Sequence, residues 1–308
     1  MTSNVDEPTS SLGPIGFGAM HLSERNRPER PIAIETVHAA LDAGVRLIDT
    51  ADAYCQHAGE TGHNEVLVAE ALSSWGGEGS AVTVATKGGH VRDRYGRWDL
   101  DGRPEHLVAA AHASRKRLEV DTIQLYQFHR PDPSVEFSSS VGALAELQRE
   151  GVVAHIGLSN VDVAQIERAQ ETVAVATIQN ELSPLALQSL PTLRWCDAAG
   201  VPFLVWAPFG GRQGAEALRS DPTLQPFRDG AAAIDASVHQ LILAWLISLS
   251  PVVVPIPGAS RPNTIRESVD AGSISLDEGM VATLDAAVSA STDTNARRNL
   301  DDIRGRSC

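Results

Sequence analysis

Cysteine is scarce in this 308-residue sequence, and the few cysteines form no pattern. Cys55, Cys196 and Cys308 are odd in number and lie far apart, without a CxxC pair. Disulfide frameworks and structural zinc sites need several paired cysteines, so this set argues against both. We therefore expect neither a disulfide scaffold nor a metal site.

Basic residues are also in deficit. The sequence has 25 lysines and arginines against 39 aspartates and glutamates, which gives a formal net charge of −14. An acidic surface of that size repels the phosphates of nucleic acids and of anionic lipids. We therefore expect a small-molecule partner, and neither nucleic acid nor a membrane.

Signals for secretion and membrane insertion are missing as well. The first residues, MTSNVDEPTSSLGP, are polar and carry acids, whereas a secretory signal begins with basic residues and continues with an apolar core. The longest apolar run, around 241–249, is amphipathic and too short to cross a bilayer. These features predict a cytoplasmic protein.

What the sequence does contain is a regular alternation of short β-branched runs and amphipathic helical stretches. The strand-like runs lie at 15–18, 46–49, 82–86, 122–128, 153–157, 176–179, 203–206 and 252–256. The helix-like stretches lie at 32–43, 64–73, 104–118, 138–150, 161–169, 189–199, 237–249 and 262–271.

Eight strands that alternate with eight helices predict an α/β fold with a parallel sheet closed into a (β/α)8 barrel. A doubly wound open sheet is the alternative. We expect one domain over 1–308, with a polar lead at 1–14 and a polar tail at 292–308. Two long segments, 87–103 and 208–236, follow strands on the side where a barrel builds its active site.

Four polar residues lie at or just past the carboxyl ends of successive strands. They are Asp49, Tyr54, Lys87 and His129. A barrel brings such strand ends together, so these four side chains are expected to be neighbours. A lysine ammonium beside a phenol favours the phenolate, so we expect Lys87 to lower the pKa of Tyr54 from its usual value of about 10. Asp49 would keep the desolvated Lys87 charged.

This set can transfer a proton but has no other evident chemistry. Tyr54 would act as a general acid towards a carbonyl oxygen that His129 orients. The set contains neither an activated nucleophile nor a metal cage, so electrons must come from a cofactor. The sequence therefore predicts a cofactor-dependent reductase.

The segments around these residues resemble the signatures of the aldo-keto reductase superfamily, in the order in which that family has them. GVRLIDTADAY, VATKGG and LYQFHRPD match the segments that carry the family's catalytic Asp, Tyr, Lys and His. The match identifies Asp49, Tyr54, Lys87 and His129 as the catalytic residues. It implies reduction of an aldehyde or ketone by hydride from NADPH, with NADH as the open alternative.

The same resemblance implies the residues that bind the cofactor. GVVAHIGLSN and IQNELSP carry the nicotinamide carboxamide ligands, Ser159, Asn160 and Gln179. VWAPFG places Trp206 against the nicotinamide ring. Further contacts are expected from the loops at the barrel mouth, namely Gly18, Ala19, Met20, Ala207, Pro208, Phe209, Gly210 and Gly258.

The segment IPGASRPNTIRES lies where the family binds adenine and the 2′-phosphate. A phosphate there needs cationic groups and a helix N-terminus, so Ser260 and Arg261 are the candidates. Many relatives have Arg at the position of Thr264 and Asn at that of Ser268. These departures weaken the expectation of strict NADP preference, although Thr264, Glu267 and Ser268 remain expected contacts.

Substrate and assembly are less specified by the sequence. His21, Trp98 and Phe128 are candidates for the substrate pocket, and the resemblance suggests pyridoxal, a keto-sugar or a secondary-metabolite ketone. The hairpin that often precedes the family's first strand is expected to be short or missing. Either a monomer or a homo-oligomer fits the sequence.

Two other functions are compatible with the same residues. One is a cofactor-binding regulatory subunit with little turnover, since some members of the superfamily act mainly in that way. The other is a barrel aldolase in which Lys87 forms a Schiff base with the substrate.

Overall fold

The computed structural model describes residues 12–290 and 294–305, without the side chains at 212, 213, 215 and 294–296. Most of the strands in this part of the chain form one parallel sheet, and two form a separate antiparallel hairpin. In chain order the strands are β1 (Phe17–Gly18), β2 (Leu47–Asp49), β3 (Thr83–Gly88), β4 (His90–Arg92), β5 (Trp98–Leu100), β6 (Ile123–Phe128), β7 (Val153–Ser159), β8 (Val175–Glu181), β9 (Phe203–Trp206) and β10 (Val253–Pro255).

The parallel sheet closes on itself. Its strands lie in the order β1-β2-β3-β6-β7-β8-β9-β10, and the segment around β1 hydrogen-bonds back to the one around β10. The closing bonds join Gly16 N to Pro255 O (2.9 Å) and Gly18 N to Pro257 O (3.1 Å). This is the predicted (β/α)8 barrel, and the alternative of an open doubly wound sheet is wrong.

Helices follow the barrel strands along the chain and cover the outside of the sheet. They are α1 (Arg30–Asp42), α2 (His63–Ser74), α3 (Pro104–Arg117), α4 (Phe137–Arg149), α5 (Val163–Gln170), α6 (Leu190–Ala199), α7 (Gly211–Ser220), α8 (Gln225–Ala233), α9 (Val238–Ile247), α10 (Pro262–Asp270), α11 (Glu278–Ala290) and α12 (Thr294–Ile303).

Capping explains why two helices begin later than the hydrophobic pattern suggests. Asp162 accepts a hydrogen bond from Gln165 N (2.8 Å), and the Gln165 side chain bonds back to the Asp162 backbone. Ser237 and Gln240 form the same reciprocal pair. Because this arrangement satisfies backbone N–H groups that have no partner inside the helix, α5 starts directly after Asp162 and α9 directly after Ser237.

The structure adds elements that the sequence pattern does not predict. The long segment after β3 folds into the β4–β5 hairpin, and the one after β9 contains α7 and α8. The expected polar tail instead contains α12, whose Leu300 is buried. Within the described residues no strand precedes β1, while most of the polar lead and Cys308 lie outside them.

The main apolar core lies between the sheet and the surrounding helices. Its largest side chains include Trp245, Tyr126 and Phe203, all completely buried. Among the described residues no single helix is both long and apolar enough to span a membrane, and only the bent pair Pro222–Ala233 with Val238–Ile247 meets those criteria together.

Inside the barrel, a glycine leaves room for a polar side chain. Gly157 of β7 pairs with Gln127 of β6 on one side and Thr177 of β8 on the other. A Cβ added at Gly157 would lie 2.4 Å from Thr177 Oγ1 and 2.8 Å from Gln127 Cγ. Position 157 therefore requires glycine because these two side chains occupy the adjacent space.

We predict that Gly157→Ala lowers the free energy of unfolding by about 1–3 kcal/mol, since an extra methyl in a packed interior displaces its neighbours. Gly142→Ala is the control: it lies within α4 with no atom near the added Cβ, and should raise stability by up to about 1 kcal/mol. Urea unfolding followed by circular dichroism measures both. Equal stability of Gly157→Ala and the parent would contradict this packing.

Candidate active site

The barrel register brings the predicted catalytic residues to one point. Asp49 is the last residue of β2, Lys87 lies near the end of β3, and His129 follows β6 directly. Tyr54 lies beyond Asp49 in a tight turn in which Tyr54 N donates to Ala51 O (3.3 Å). All four side chains are buried or nearly so, with Lys87 completely inaccessible to solvent.

Lys87 is the centre of this site. Its Nζ donates to Asp49 Oδ2 (2.6 Å), to Thr50 O (2.9 Å) and to Tyr54 Oη (2.8 Å). The first two acceptors have no hydrogen to share, and three donated bonds need the three hydrogens of an ammonium group. Burial lowers the pKa of Lys87, while the Asp49 carboxylate opposes this effect.

These bonds determine where the Tyr54 proton points. Because an ammonium group can only donate, Tyr54 Oη is the acceptor from Lys87. The phenolic hydrogen of Tyr54 is therefore directed away from Lys87 Nζ. A Schiff base forms when the lone pair of a neutral lysine attacks a carbonyl carbon. Lys87, as an ammonium, has no free lone pair, which argues against the aldolase alternative.

The pKa of Tyr54 contradicts our expectation from the sequence. Burial, followed by the negative charges of Asp49 and Glu24, raises it well above the usual value. The expected lowering by Lys87 is wrong because burial disfavours the phenolate and because the Asp49 carboxylate, which pairs with Lys87, opposes the ammonium charge. Tyr54 is therefore a neutral phenol over the physiological pH range.

Two glutamines that are buried inside the barrel hold the other oxygen of Asp49. Gln179 Nε2 donates to Asp49 Oδ1 at 2.7 Å and Gln127 Nε2 at 3.2 Å. Sequence reasoning missed Gln127, although its position between Tyr126 and Phe128 in an apolar strand was a usable signal. The Asp49 carboxylate is thus fixed from three sides.

A second charged cluster supports the turn that carries Tyr54. Glu65 of α2 accepts from Thr86 Oγ1 (2.5 Å) and from Arg117 Nε (2.6 Å). Burial, together with the charge of Glu65, raises the pKa of nearby Asp52 to about 8. The backbone oxygen of Asp52 accepts from Gly62 N (2.7 Å), which ties the turn to the start of α2.

His129 faces Tyr54 and is covered by the β4–β5 hairpin. The Tyr54 and His129 rings meet edge to face, with centroids 5.7 Å apart, and His90 of β4 stacks on His129 at 4.2 Å. Burial lowers the pKa of His129 well below its usual value, and neighbouring positive charges add to this effect. The imidazole is therefore neutral. Sequence reasoning missed His90.

The three candidates for the substrate pocket have different positions. Trp98 of β5 lies 6.3 Å from His129 between ring centroids, and Arg92 covers one Trp98 face at 3.3 Å. His21 is exposed near Gly258. Phe128 does not line the site: it is completely buried and stacks on Phe137 of α4. Strand side chains alternate between faces, so Gln127 points into the barrel and Phe128 points out.

The predicted nicotinamide ligands lie together beside the catalytic residues. Ser159 and Gln179 pair across β7 and β8, and Trp206 ends β9. Asn160 adopts a left-handed backbone conformation, with φ of 59°, and its amide donates to His129 O and Ser159 Oγ, each at 2.9 Å. Its oxygen accepts from Arg130 (2.9 Å).

A nicotinamide carboxamide fits this group of residues. Among the described residues, Gln179 Oε1 accepts no hydrogen bond, and the indole N–H of Trp206 is buried without a partner. The glycines at the barrel mouth permit a close approach: Gly18 and Gly258 form a bridge, with Ala19 buried and Met20 half-buried beside them. A Cβ at Gly18 would lie 2.8 Å from Ile256 O.

The loop after β9 has an unusual backbone. Ala207 and Gly210 both have positive φ, of 49° and 83°. Pro208 is buried, and Phe209 packs edge to face on His239 at 4.8 Å. Phe209 therefore supports this loop from the side of α9.

The expected adenosine contacts divide into two groups. Arg261 is exposed at the N-terminus of α10, directly after the half-buried Ser260, and Thr264 and Glu267 are exposed on that helix. Ser268 is instead buried, and its hydroxyl donates to Thr264 O (3.0 Å) of its own helix. The structure therefore does not bring Ser268 to the surface that Arg261 occupies.

Comparison with known proteins agrees with this geometry. The sequence model described as Aldo/keto reductase family matches residues 14–289. An uncharacterized oxidoreductase of Schizosaccharomyces pombe is 32% identical over 276 residues, which cover 88% of this chain and 85% of that protein. Pyridoxine 4-dehydrogenase of Escherichia coli is 32% identical over 289 residues, which cover 90% and 95%.

Solved structures show the same fold. A thermostable aldo-keto reductase bound to the inhibitor epalrestat superposes with a TM-score of 0.76 at 25% identity, covering 90% of this chain and 95% of that one. An aldo-keto reductase from Klebsiella pneumoniae in complex with NADPH has a TM-score of 0.71 at 25% identity, with 89% and 90% covered. The chain therefore belongs to the aldo/keto reductase family.

Proposed function

We propose that this oxidoreductase reduces an aldehyde or ketone to an alcohol with NADPH, and that Tyr54 donates the proton. The observation that supports this proposal best is the set of three hydrogen bonds made by Lys87. Burial and the negative charge of Asp49 keep Tyr54 neutral, and the bond from Lys87 directs the phenolic proton away from Lys87, where a bound carbonyl oxygen can accept it. Family membership supplies the class of reaction.

The cofactor assignment combines the residues present with a relative. The nicotinamide would be held by Ser159, Asn160 and Gln179, with its ring against Trp206. When bound there, NADPH supplies the hydride that adds to the carbonyl carbon. The complex of the Klebsiella pneumoniae relative with NADPH supports this choice. Ser260 and Arg261 are the proposed ligands of a 2′-phosphate, with NADH as the alternative if they do not bind one.

The side chains of this protein handle the proton. A carbonyl oxygen placed between Tyr54 and His129 accepts the phenolic hydrogen bond, which orients the carbonyl and draws electron density to its oxygen. As that oxygen becomes an alkoxide, the Tyr54 O–H bond breaks and its proton moves to it. The ammonium of Lys87, 2.8 Å from Tyr54 Oη, stabilises the phenolate that remains until solvent returns a proton.

Pyridoxal is the first substrate that we propose to test. The Escherichia coli relative named pyridoxine 4-dehydrogenase supports it, and the covering hairpin contributes an aromatic wall, Trp98, suited to a ring. Keto-sugars and secondary-metabolite ketones complete the panel. NADPH oxidation is followed spectrophotometrically, and the best substrate is then used for the variants below.

We predict that Tyr54→Phe reduces kcat by about 10²- to 10⁴-fold, the usual contribution of a positioned general acid. The phenyl ring retains the packing but has no proton to give. Quenching of tryptophan fluorescence by NADPH, to which Trp206 would contribute, should persist in this variant and shows that the fold and cofactor site are intact.

Cys55→Ala is the matched control, since its buried thiol neighbours Tyr54 in sequence but bonds only to Ala53 O among the described residues. It should retain most of the parent activity. A kcat near the parent value in Tyr54→Phe would contradict the proton donor. A tight NADPH complex without turnover of any carbonyl in the panel would instead favour a regulatory subunit.

The proton donor also predicts a pH profile. Tyr54 carries its proton below its pKa, and because that pKa is raised, Tyr54 stays protonated at neutral pH. The pKa of His129 is lowered, so its imidazole stays neutral there. We therefore predict that kcat for reduction stays level from about pH 5.5 to about pH 7 at saturating NADPH and substrate, below the range in which Asp52 titrates, since neither Tyr54 nor His129 titrates in that window. A fall in kcat centred inside that window would contradict this order of pKa values.

A further inference from the structure

The cations of the active site differ in how their charge is compensated. Lys87 pairs with Asp49, Arg92 with Glu24 and Arg117 with Glu65. Arg130, the residue after His129, forms no ion pair with a carboxylate among the described residues, although it is half-buried. A desolvated cation without a directly paired counter-ion is costly, and binding an anion relieves that cost.

Two neutral side chains hold Arg130 in a fixed orientation. Its Nε donates to His90 Nε2 (3.2 Å), and one terminal nitrogen, Nη2, donates to Asn160 Oδ1 (2.9 Å). Among the described residues its other terminal nitrogen, Nη1, makes no hydrogen bond. The guanidinium therefore keeps free N–H groups of the kind that bind a carboxylate or a phosphate in a planar fork.

Two imidazole rings connect Arg130 to the place where the carbonyl would react. His90 stacks on His129, whose ring meets the Tyr54 ring. The imidazoles of His90 and His129 thus lie between Arg130 and Tyr54. A substrate that reaches both groups would carry its anionic group several bonds away from the carbonyl.

The electrostatic environment agrees with this arrangement. The charge of Arg130 contributes to lowering the pKa of His90 to about 4, after the larger effect of burial. Burial lowers the pKa of Arg130 itself, and Glu181 is the one group that opposes this. Arg130 therefore adds positive charge beside His90 and His129, although the protein as a whole carries a net charge of −14.

We propose that Arg130 binds a carboxylate or phosphate group of the carbonyl substrate while the carbonyl oxygen lies between Tyr54 and His129. This rests on the proposed reductase function and specifies its substrate class: aldehydes or ketones with an anionic group at the far end of a small molecule. His90 and Asn160 act as positioning residues that orient the guanidinium.

Matched pairs of aldehydes test this assignment. The first pair is 4-carboxybenzaldehyde and its neutral methyl ester, and the second is glyceraldehyde 3-phosphate and glyceraldehyde. The ratio of kcat/KM within each pair, measured with NADPH, reports the preference for the anion. We expect at least one pair to favour the anionic member, and the pair that responds distinguishes a carboxylate from a phosphate.

Variants then connect that preference to Arg130. In Arg130→Gln we expect the ratio to fall by about 10- to 100-fold, the effect of losing a charge-assisted pair of hydrogen bonds. Arg130→Lys should keep part of the preference because it retains the charge without the planar fork. Arg149→Gln, an exposed arginine on α4, should leave the ratio unchanged.

A binding measurement separates failure of this inference from failure of the reductase function. Calorimetry in the presence of NADPH compares 4-(hydroxymethyl)benzoate with its methyl ester, and glycerol 3-phosphate with glycerol. If no aldehyde is reduced, the reductase proposal fails, and tighter binding of an anion that is lost in Arg130→Gln still supports the anion site. Equal ratios within both pairs, or a preference that survives in Arg130→Gln, would overturn it.

Discussion

The pairing of Lys87 with Asp49 is the interaction on which the rest of the site depends. A lysine that is completely buried keeps its charge only where acceptors surround it, and here a carboxylate oxygen, a backbone carbonyl and a phenol oxygen do so. The same contacts make Tyr54 an acceptor and direct its proton away from Lys87, while burial and the negative charge of Asp49 keep Tyr54 neutral. Replacing Asp49 would therefore disturb the charge of Lys87 and the role of Tyr54 together.

The register and the interior of the barrel position the Lys87–Asp49 pair. Parallel register places Asp49 and Lys87 on neighbouring strands, and the glutamines at 127 and 179 reach the second carboxylate oxygen from across the interior. Gly157 leaves the space that Gln127 occupies. Packing, hydrogen bonding and charge are thus coupled inside the barrel, so the chemistry at its mouth rests on polar groups in its core.

The sequence predicts the fold and the proximity of the four central residues well because both follow from local patterns. Strand–helix alternation specifies the barrel, and strand ends specify Asp49, Lys87 and His129. What it misses depends on contacts between distant segments: His90 and Arg130 become neighbours only when the hairpin folds over β6. The predicted direction of the Tyr54 pKa shift was wrong because that pKa depends first on burial and then on distances to charges, which no local pattern encodes. Phe128 was misassigned because strand alternation turns its side chain out of the barrel, opposite to that of Gln127.

The protonation of Lys87 is the most direct test of this account. Lys87 and Lys116 are the two lysines of the sequence, so the ¹⁵N NMR spectrum of lysine-labelled protein contains two side-chain signals, and Lys116→Arg assigns them. At neutral pH we predict that Lys87 Nζ couples to three slowly exchanging protons, as a buried ammonium with three acceptors requires. Coupling to two protons would show a neutral amine and would contradict the proposed role of Lys87 in holding Tyr54 as the proton donor.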